Sequence, residues 1–430
     1  MPSEALLKAA IMYILDDGMK ISMVVWNEFV NDARVLKEAE TLQSNGYSVI
    51  VHALHTPGKT LVKEKLPSGV CVIRVARSPL WKWRKRKLTI GRPRRRGGAN
   101  VDFNCIKRST FSHSLLKIIA RLWTHGALVI ALFRSRPDVV HAHDVNTLPT
   151  AWAATVLTRS ILVYDAHEVS TSREGYNNFR RLVGCVEKLL MPRAAAVITT
   201  TYTRAKFFAR AYGIRRPLVL QNRPRYQIMT HRTPNLRLEL GLSRNWPIVL
   251  YQGGLQQGRG LEILLDAALR VTNAYFVFIG GGRLEEVLKF RVHSLGLEDR
   301  VFFIPTVPLV ELPNYTASAD IGVQPIENTC LNHFSTDSNK LFEYMMAGLP
   351  IVATSMPEIR KLVKGYNMGL IVEPGDVSAL ASAIQALVDD VDMRVRMGNM
   401  ALKASRHLSW EEQEEKLLAL YRKIIATDTL

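Results

Sequence analysis

PIVLYQGGLQQGRGLEILLDAA, residues 247–268, has the pattern of a strand, a glycine-rich turn and a helix. Its first residues form a short apolar run rich in β-branched side chains, and its last residues have the apolar spacing of an amphipathic helix. The turn between them lets backbone N–H groups and the positive end of the helix approach a phosphate closely. The stretch therefore predicts a βα unit of a mostly parallel sheet, with a turn suited to an anionic ligand.

The same alternation of short apolar runs and helix-length segments extends along the chain in two series. Two series predict two doubly wound α/β domains rather than one oversized sheet. We assign residues 1–225 to an N-terminal domain and 235–408 to a C-terminal domain, with the linker in the proline-rich stretch Asn222–Pro234. The final amphipathic helix, within 409–430, is expected to pack back on the first domain. The predicted strands are Ile21–Val25, Tyr47–Leu54, Val70–Val75, Asp138–His141, Leu162–Tyr164 and Ala196–Thr199, then Pro247–Tyr251, Tyr275–Ile279, Val301–Ile304, Asp320–Val323, Pro350–Ala353 and Gly369–Val372.

Composition excludes a disordered chain and favours an anionic partner. The 430 residues are 47% hydrophobic, enough to bury large cores, and the net charge is +19. That charge suits nucleic acid, an acidic membrane surface or phosphorylated substrates. The cysteines lack metal-ligand spacing, which argues against a zinc site or a disulfide scaffold and favours the reducing cytosol. They are Cys71, Cys105, Cys185 and Cys330.

Two further segments bear on localisation. The first 20 residues lack the pattern of a signal peptide. The most apolar stretch, Leu115–Phe133, is interrupted by Lys117, Arg121 and His125, so we expect it to be too polar to span a membrane. The sequence thus predicts a cytoplasmic protein.

One segment, Lys65–Val101, holds 12 of the Lys and Arg residues and no acid. Tryptophans favour the headgroup level of a bilayer, and basic residues are attracted to anionic lipid. The segment therefore predicts peripheral attachment to the inner face of the membrane. A solvated basic loop is the alternative, and nucleic acid is disfavoured because no nucleic-acid motif accompanies the segment. The proposed membrane-contact residues are Trp81, Trp83, Arg84, Lys85 and Arg86.

Glu343 lies within an apolar run that follows Asn339 and Lys340 in the C-terminal domain. A buried carboxylate needs a partner. Lys340, three residues earlier, could supply it within one helix, or the carboxylate could accept hydrogen bonds from a ligand diol. The segment follows a predicted strand at the edge where open α/β sheets bind ligands.

Polar clusters also end two predicted strands of the N-terminal domain. His141 and His143 alternate at the end of one strand, and the tripeptide Ala166-His167-Glu168 follows Asp165 at the end of another. A lone strand histidine is usually structural. Two such clusters in one domain nevertheless favour a cleft at this edge of the sheet.

Together these motifs resemble the retaining GT-B glycosyltransferases of family 4, in which two Rossmann-like domains face each other across a cleft. The resemblance extends over nearly the whole chain. It rests on Asn31–Val35, Asp138–Asn146, Asp165–Glu168, Gln221–Pro224, Gly253–Gly260, Asn339–Met345, Ala347–Pro350 and Val372–Asp376.

The resemblance implies roles for individual residues. Glu343 would hold the ribose of a nucleotide sugar, Arg259 would contact its diphosphate, and His143 would lie near the donor sugar and its leaving phosphate. Two positions depart from the family pattern: Ser335 replaces the first glutamate of E-x7-E, and Gly254 replaces an arginine, which leaves Lys340 as the second cation. The implied site is catalytic His143 and Glu343; donor-side Gly253, Gly254, Arg259, Asn339, Lys340 and Glu343; acceptor-side Asn31, Asp32, His167 and Glu168.

The reaction implied by the resemblance is transfer of a sugar from a nucleotide sugar, with retention, to a lipid-linked or otherwise membrane-associated glycan acceptor. Negative charge grows on the leaving diphosphate, so fixed cations and N–H donors catalyse the step. A metal-dependent transferase would need a pair of carboxylates in the cleft, and the aspartate pairs Asp16-Asp17 and Asp389-Asp390 lie away from the inferred cleft. No metal cofactor is therefore expected. A soluble small-molecule acceptor and a non-catalytic binding relative remain alternatives, the second because Ser335 replaces a glutamate.

Overall fold

The computed structural model describes residues 18–78, 111–173, 179–227 and 235–428. Two α/β units follow one another, each built on a parallel sheet. The proposed membrane-contact residues Trp81, Trp83, Arg84, Lys85 and Arg86 lie outside these described residues, as do the first 17 residues.

The first sheet has eight strands in the order β3-β4-β2-β1-β5-β6-β7-β8. All pairs are parallel except β3 with β4. Its elements are β1 (Lys20–Val24), α1 (Ala33–Ser44), β2 (Ser48–His55), β3 (Lys63–Lys65), β4 (Cys71–Ala76), α2 (Phe111–Ser135), β5 (Val139–His143), α3 (Leu148–Thr158), β6 (Ile161–Ala166), α4 (Arg180–Leu190), β7 (Ala196–Thr199), α5 (Tyr202–Tyr212) and β8 (Leu218–Val219).

The second sheet has six parallel strands in the order β11-β10-β9-β12-β13-β14. The order reverses beside β9, which is where open sheets of this kind bind ligands. Its elements are α6 (Leu236–Glu239), β9 (Ile248–Gln252), α7 (Leu261–Arg270), β10 (Tyr275–Ile279), α8 (Glu285–Ser294), β11 (Val301–Ile304), α9 (Leu312–Ala317), β12 (Ile321–Gln324), α10 (Leu331–Phe334), α11 (Asn339–Met346), β13 (Ile351–Thr354), α12 (Pro357–Gly365), β14 (Gly369–Val372), α13 (Val377–Asp389) and α14 (Val391–Ser405).

The last helix, α15 (Trp410–Asp428), returns to the first sheet. Trp410, Leu417 and Tyr421 are fully buried in the core that α1 forms with that sheet. The Trp410 indole donates to Thr41 Oγ1 (2.9 Å), and the Tyr421 hydroxyl lies 2.9 Å from His141 Nδ1. Residues at the end of the chain thus complete the core of the N-terminal unit.

Helix α2 packs on the opposite face of the first sheet through Leu128 and Leu132. Its window Ile118–Ser135 has a mean hydropathy of 1.2, and only 17% of that window is buried. By length and composition alone this helix could cross a membrane, and the expectation that the segment is too polar to do so stays a prediction. Within the residues described, this is the one such helix.

Candidate active site

The carboxyl ends of both sheets border one cleft of about 670 Å³. A neighbouring pocket of about 270 Å³ extends from it and shares Ala33, Asn222, Leu309 and Asn339 with it. A larger groove, about 1100 Å³, lies at the amino ends of β6, β7 and β8 beside α15. Ligands of open α/β sheets bind at the carboxyl ends, so the cleft and its neighbouring pocket form the candidate site.

The glycine-rich turn between β9 and α7 borders this cleft. Gly260, the residue before α7, has a φ of 71° and lies so close to Pro325 that an added Cβ would be 1.7 Å from its carbonyl oxygen. Gly253 has a φ of 126° and is exposed. Positive φ values and close approach both require glycine, so this sequence permits a turn with accessible backbone groups.

Two cations accompany the turn. Arg259 lines the cleft, and the Lys340 ammonium lies over the Tyr251 ring at 3.8 Å, in contact with Gly253. Burial and the nearby Arg259 charge hold the pKa of Lys340 well below its usual range. An anion bound at the turn would reverse this effect, because an opposite charge favours the protonated amine.

Glu343 lines the smaller pocket on α11. Its Oε2 accepts a hydrogen bond from the Gln252 amide, and no ion pair joins it to Lys340, although both residues are described. The alternative of a Lys340–Glu343 helix pair is therefore wrong. Burial raises the pKa of Glu343, opposed by the Gln252 hydrogen bond and by Lys340.

Lys37 of α1 lines the same pocket from the N-terminal unit. Its ammonium donates to Asn222 Oδ1 (2.9 Å) and to the Arg223 carbonyl. Burial, together with the charge of Arg34, lowers the pKa of Lys37 to about 7. Both domains thus contribute an ionisable group to the pocket that holds Glu343.

The position of the missing family glutamate, Ser335, is a contact between the domains. Its hydroxyl accepts from Arg204 Nε at 3.0 Å. The Arg204 guanidinium also donates to Thr200 Oγ1 and to the His167 and Asn332 carbonyls. Asn332, three residues before Ser335, makes two hydrogen bonds to the Val169 backbone, at 2.7 and 3.1 Å. These side chains hold the segment around Ser335 against the N-terminal domain.

Asp165 organises the histidines at the ends of β5 and β6. Its buried carboxylate accepts from Arg34 Nε (2.8 Å) and Nη2 (3.0 Å) and lies 3.2 Å from His167 Nε2. It lies 3.6 Å from His143 Nδ1, which in turn is 3.2 Å from His167 Nε2. His143 is 2% exposed and lies behind His167, which lines the cleft.

Charge is distributed unevenly over this cluster. Burial opposes ionisation of Asp165, but Arg34 and His167 hold the pKa of its carboxyl well below the usual range. Burial alone would lower the pKa of His167, yet Asp144 and Asp165 raise it to about 9. Burial lowers the pKa of His143. At neutral pH the histidine facing the cleft is a cation and the one behind it is neutral.

Glu38, His141, His143 and Asp165 form a buried group whose ligand atoms lie within 4.8 Å of one another. Arg34 pairs with both carboxylates, at 3.1 Å to Glu38 and 2.8 Å to Asp165. Burial raises the pKa of Glu38. Because a guanidinium already supplies the counter-charge, these residues do not suit an additional divalent cation.

The predicted acceptor residues lie along the N-terminal wall of the cleft, where Asn31, Asp32, His167 and Glu168 all line it. Asp32 caps α1 by accepting from the Val35 amide (3.3 Å) and also accepts from Asn27 (2.7 Å). Glu28, which the sequence did not single out, lines the same wall. The wall therefore combines carboxylates and side-chain amides, groups that hydrogen-bond to hydroxyls.

The structure places the predicted residues Asn31, Asp32, His167, Glu168, Arg259 and Asn339 at the lining of the cleft and Glu343 at its pocket. Gly253 and Gly254 of the turn, and Lys340 beside Gly253, line neither cavity, and His143 lies behind the cleft. The structure adds Asp165, Arg34, Arg204 and Lys37. Asp165 had one sequence signal, an acid at the end of an apolar run. Arg34 and Arg204 pair with residues 131 positions away, so no local pattern could connect them.

Two family models match most of the chain. The glycosyl transferase 4-like domain matches residues 32–223, and the model for glycosyl transferases group 1 matches residues 233–404. A similar protein is the D-inositol 3-phosphate glycosyltransferase of Xylanimonas cellulosilytica, 26% identical over 322 residues, 70% of this chain and 75% of that protein. The protein of that name in Corynebacterium glutamicum is 23% identical over 317 residues, covering 68% and 74%.

Solved structures share the architecture. Sucrose-phosphate synthase from Thermosynechococcus elongatus superimposes with a TM-score of 0.75 at 19% identity, covering 95% of this chain and 100% of the other. Anabaena HepE in complex with UDP-glucose has a TM-score of 0.70 at 18% identity, covering 94% and 100%. These neighbours are GT-B proteins, and the two parallel-sheet units of this chain have the same fold.

Proposed function

Because this chain belongs to the group 1 glycosyltransferases of GT-B fold, we propose that it transfers a sugar from a nucleotide sugar to a membrane-associated glycan acceptor. The transfer proceeds with retention and without a metal. The observation that carries the proposal is the meeting of Gly253, Lys340 and Glu343 beside one cleft, where a phosphate-binding turn adjoins a carboxylate. Glu343 is hydrogen-bonded to Gln252, the residue before the turn. A nucleoside diphosphate presents an anion for such a turn and a ribose diol for such a carboxylate.

In the proposed mechanism the donor diphosphate contacts the turn, Arg259 and Lys340, and Glu343 accepts hydrogen bonds from the ribose. Negative charge grows on the diphosphate as the anomeric bond breaks, and these fixed cations stabilise it. The His167 imidazolium adds a positive charge to the opposite wall. These cations of the protein itself would stabilise the negative charge of the leaving diphosphate.

The acceptor side is proposed to lie at a membrane surface. Helices α2, α3 and α4 cover one face of the N-terminal sheet, and their outer sides expose large apolar residues: Leu116, Ile118, Ile119, Leu122, Trp123, Ile130, Phe133, Trp152, Val156, Leu157, Leu182 and Leu189. The three helices contain one acid, Glu187, which is buried, whereas they carry several Lys and Arg residues. An apolar surface whose three helices carry cations and no exposed acid suits an anionic bilayer.

The donor proposal is tested by thermal-shift and hydrolysis measurements with UDP-, GDP-, dTDP- and ADP-sugars, with and without EDTA. Stabilisation by one nucleotide that persists in EDTA supports a metal-independent donor site. No stabilisation by any of them would refute the donor site. The anomeric configuration of the product, determined by NMR, tests retention.

The membrane proposal is tested separately by flotation with liposomes containing about 30% phosphatidylserine, an anionic lipid of the cytoplasmic leaflet. Leu122→Glu with Ile130→Glu should release the protein from the vesicles, because each places a charge on the apolar surface. Val287→Glu and Phe290→Glu, at exposed positions of α8 in the other domain, are the matched control. Equal flotation of both double variants would refute the membrane surface.

A soluble phosphorylated acceptor is the second candidate, since the similar proteins named above are D-inositol 3-phosphate glycosyltransferases. Acceptor assays with matched neutral and phosphorylated sugars test the two candidates against each other.

A further inference from the structure

The charges that line the cleft are balanced, although Lys and Arg outnumber Asp and Glu by 57 to 38 in the whole chain. Phosphate-binding sites normally concentrate cations, so the absence of a positive excess at the described lining of this cleft constrains its ligands. The carboxylates at the lining are Glu28, Asp32, Glu168 and Asp337, and the cations are the guanidinium groups of Arg34, Arg204 and Arg259 and the His167 imidazolium.

The guanidinium groups on the N-terminal wall are bound by the protein itself. Arg34 is 4% exposed and donates to both oxygens of Asp165 and to the Leu220 carbonyl. Arg204 is 6% exposed and donates to a serine, a threonine and two carbonyls. Arg259 belongs to the donor turn. Neither arginine of this wall presents the open fork of N–H groups that binds a phosphate bidentately.

The His167 imidazolium is paired with the buried Asp165 at 3.2 Å, and the remaining cations near this wall are paired with carboxylates at or beside it. Arg77 donates to Glu28 at 2.8 Å, and Arg173 lies 3.2 Å from Asp144 and 3.5 Å from Glu168. The side chains of Glu28 and Glu168 are still 38% and 44% exposed. The guanidinium groups of Arg77 and Arg173 are similarly open, at 52% and 40%, but each is already paired with a carboxylate, so a phosphate placed here would have to displace Glu28 or Glu168 to bind either one.

We propose that this wall selects an uncharged, hydroxyl-rich sugar as acceptor and rejects a sugar that carries a phosphate. Glu28 and Glu168 accept hydrogen bonds from acceptor hydroxyls, with the side-chain amides of Asn27 and Asn31 alongside. The inference rests on the proposed glycosyl transfer and names the acceptor class of that same site. Any phosphate of a lipid-linked acceptor lies beyond the sugar that enters the cleft.

The test measures nucleoside diphosphate release from the nucleotide sugar that stabilises the full chain. Matched acceptors are supplied as pairs: octyl glucoside and its 6-phosphate, octyl mannoside and its 6-phosphate, and myo-inositol and its 3-phosphate. We expect release above background hydrolysis with at least one neutral member, and a kcat/KM at least about tenfold lower for its phosphorylated partner. Preference for the phosphorylated member, equal use of both, or use of no neutral sugar would overturn the inference.

Charge-neutral variants assign the effect to the wall. Glu28→Gln and Glu168→Gln should each raise KM for the neutral acceptor about tenfold, because a hydrogen bond to a charged group is lost, and should narrow the preference against phosphate. Glu286→Gln, at an 88% exposed side chain of the other domain, is the control and should change neither value. An unchanged preference in both wall variants would overturn the inference. Failure of every nucleotide to bind would instead overturn the proposed function, so the two failures are distinguishable.

Discussion

Replacement of Glu343 by alanine should weaken nucleotide binding by the free energy of one hydrogen bond to a carboxylate. Gln252 already donates to Oε2, so Oε1 is the oxygen left for a ribose hydroxyl. One hydrogen bond to a charged acceptor contributes about 1.5–3 kcal/mol, which corresponds to a rise in Kd of roughly 10- to 150-fold. Isothermal titration calorimetry with the nucleoside diphosphate measures this directly.

Two comparisons make that measurement decisive. Glu373→Ala, an exposed glutamate after β14, should bind the nucleotide as the unmodified protein does. Affinity should also fall on acidification at a higher pH than for an ordinary glutamate, because burial raises the pKa of Glu343 and only the ionised form accepts both bonds. A Kd for Glu343→Ala within about twofold of the unmodified protein would refute the ribose assignment.

Other perturbations test the turn, the cation beside it and the histidine cluster. Gly260→Ala should abolish nucleotide binding and lower Tm, because the added Cβ would lie 1.7 Å from Pro325 O. Gly296→Ala is the control: this glycine also has a positive φ but nothing lies within 4 Å of an added Cβ, so the free energy of unfolding should fall by only about 1 kcal/mol in thermal denaturation. Nucleotide binding should take up a proton in calorimetry at alkaline pH, since an anion restores the lowered pKa of Lys340; uptake that persists in Lys340→Met would contradict this. Asp165→Asn should lose about 3 kcal/mol of stability at pH 7, because it breaks the closer of the two ion pairs of the buried Arg34 and leaves Glu38 as the carboxylate paired with it. The pKa of Asp165 is lower in the folded protein than in the unfolded chain, so its carboxylate stabilises the fold above the unfolded pKa and this stabilisation is lost on acidification. The Tm of Asp165→Asn should therefore fall less steeply with acid, and a profile equal to that of the unmodified protein would contradict the assignment.

Much of the fold could be predicted because central strands of parallel sheets are apolar on both faces. Tyr275–Ile279 and Ala196–Thr199, both inside their sheets, were predicted with the bounds that the structure gives them. The sequence missed β3 (Lys63–Lys65) and β8 (Leu218–Val219), which form the two edges of the first sheet. Edge strands are short and partly exposed, so they lack the apolar run on which the prediction depends.

The site could be predicted where a motif is local and not where contacts span the chain. The glycine turn and Glu343 carry their signals within a few residues. The partner of Glu343 proved to be Gln252 rather than Lys340, 91 positions away instead of three. His143 was placed at its strand end correctly, but its distance from the cleft depends on His167 of the next strand. Its proposed catalytic role stays a prediction.

The return of α15 to the first sheet affects the order in which the protein can fold during synthesis. Trp410 and Tyr421 fill the N-terminal core, yet the ribosome makes them after the whole second sheet. The domain encoded second can therefore become complete while the domain encoded first still exposes an apolar surface beside α1. Chaperones that recognise nascent chains would find that surface open until α15 has been synthesised.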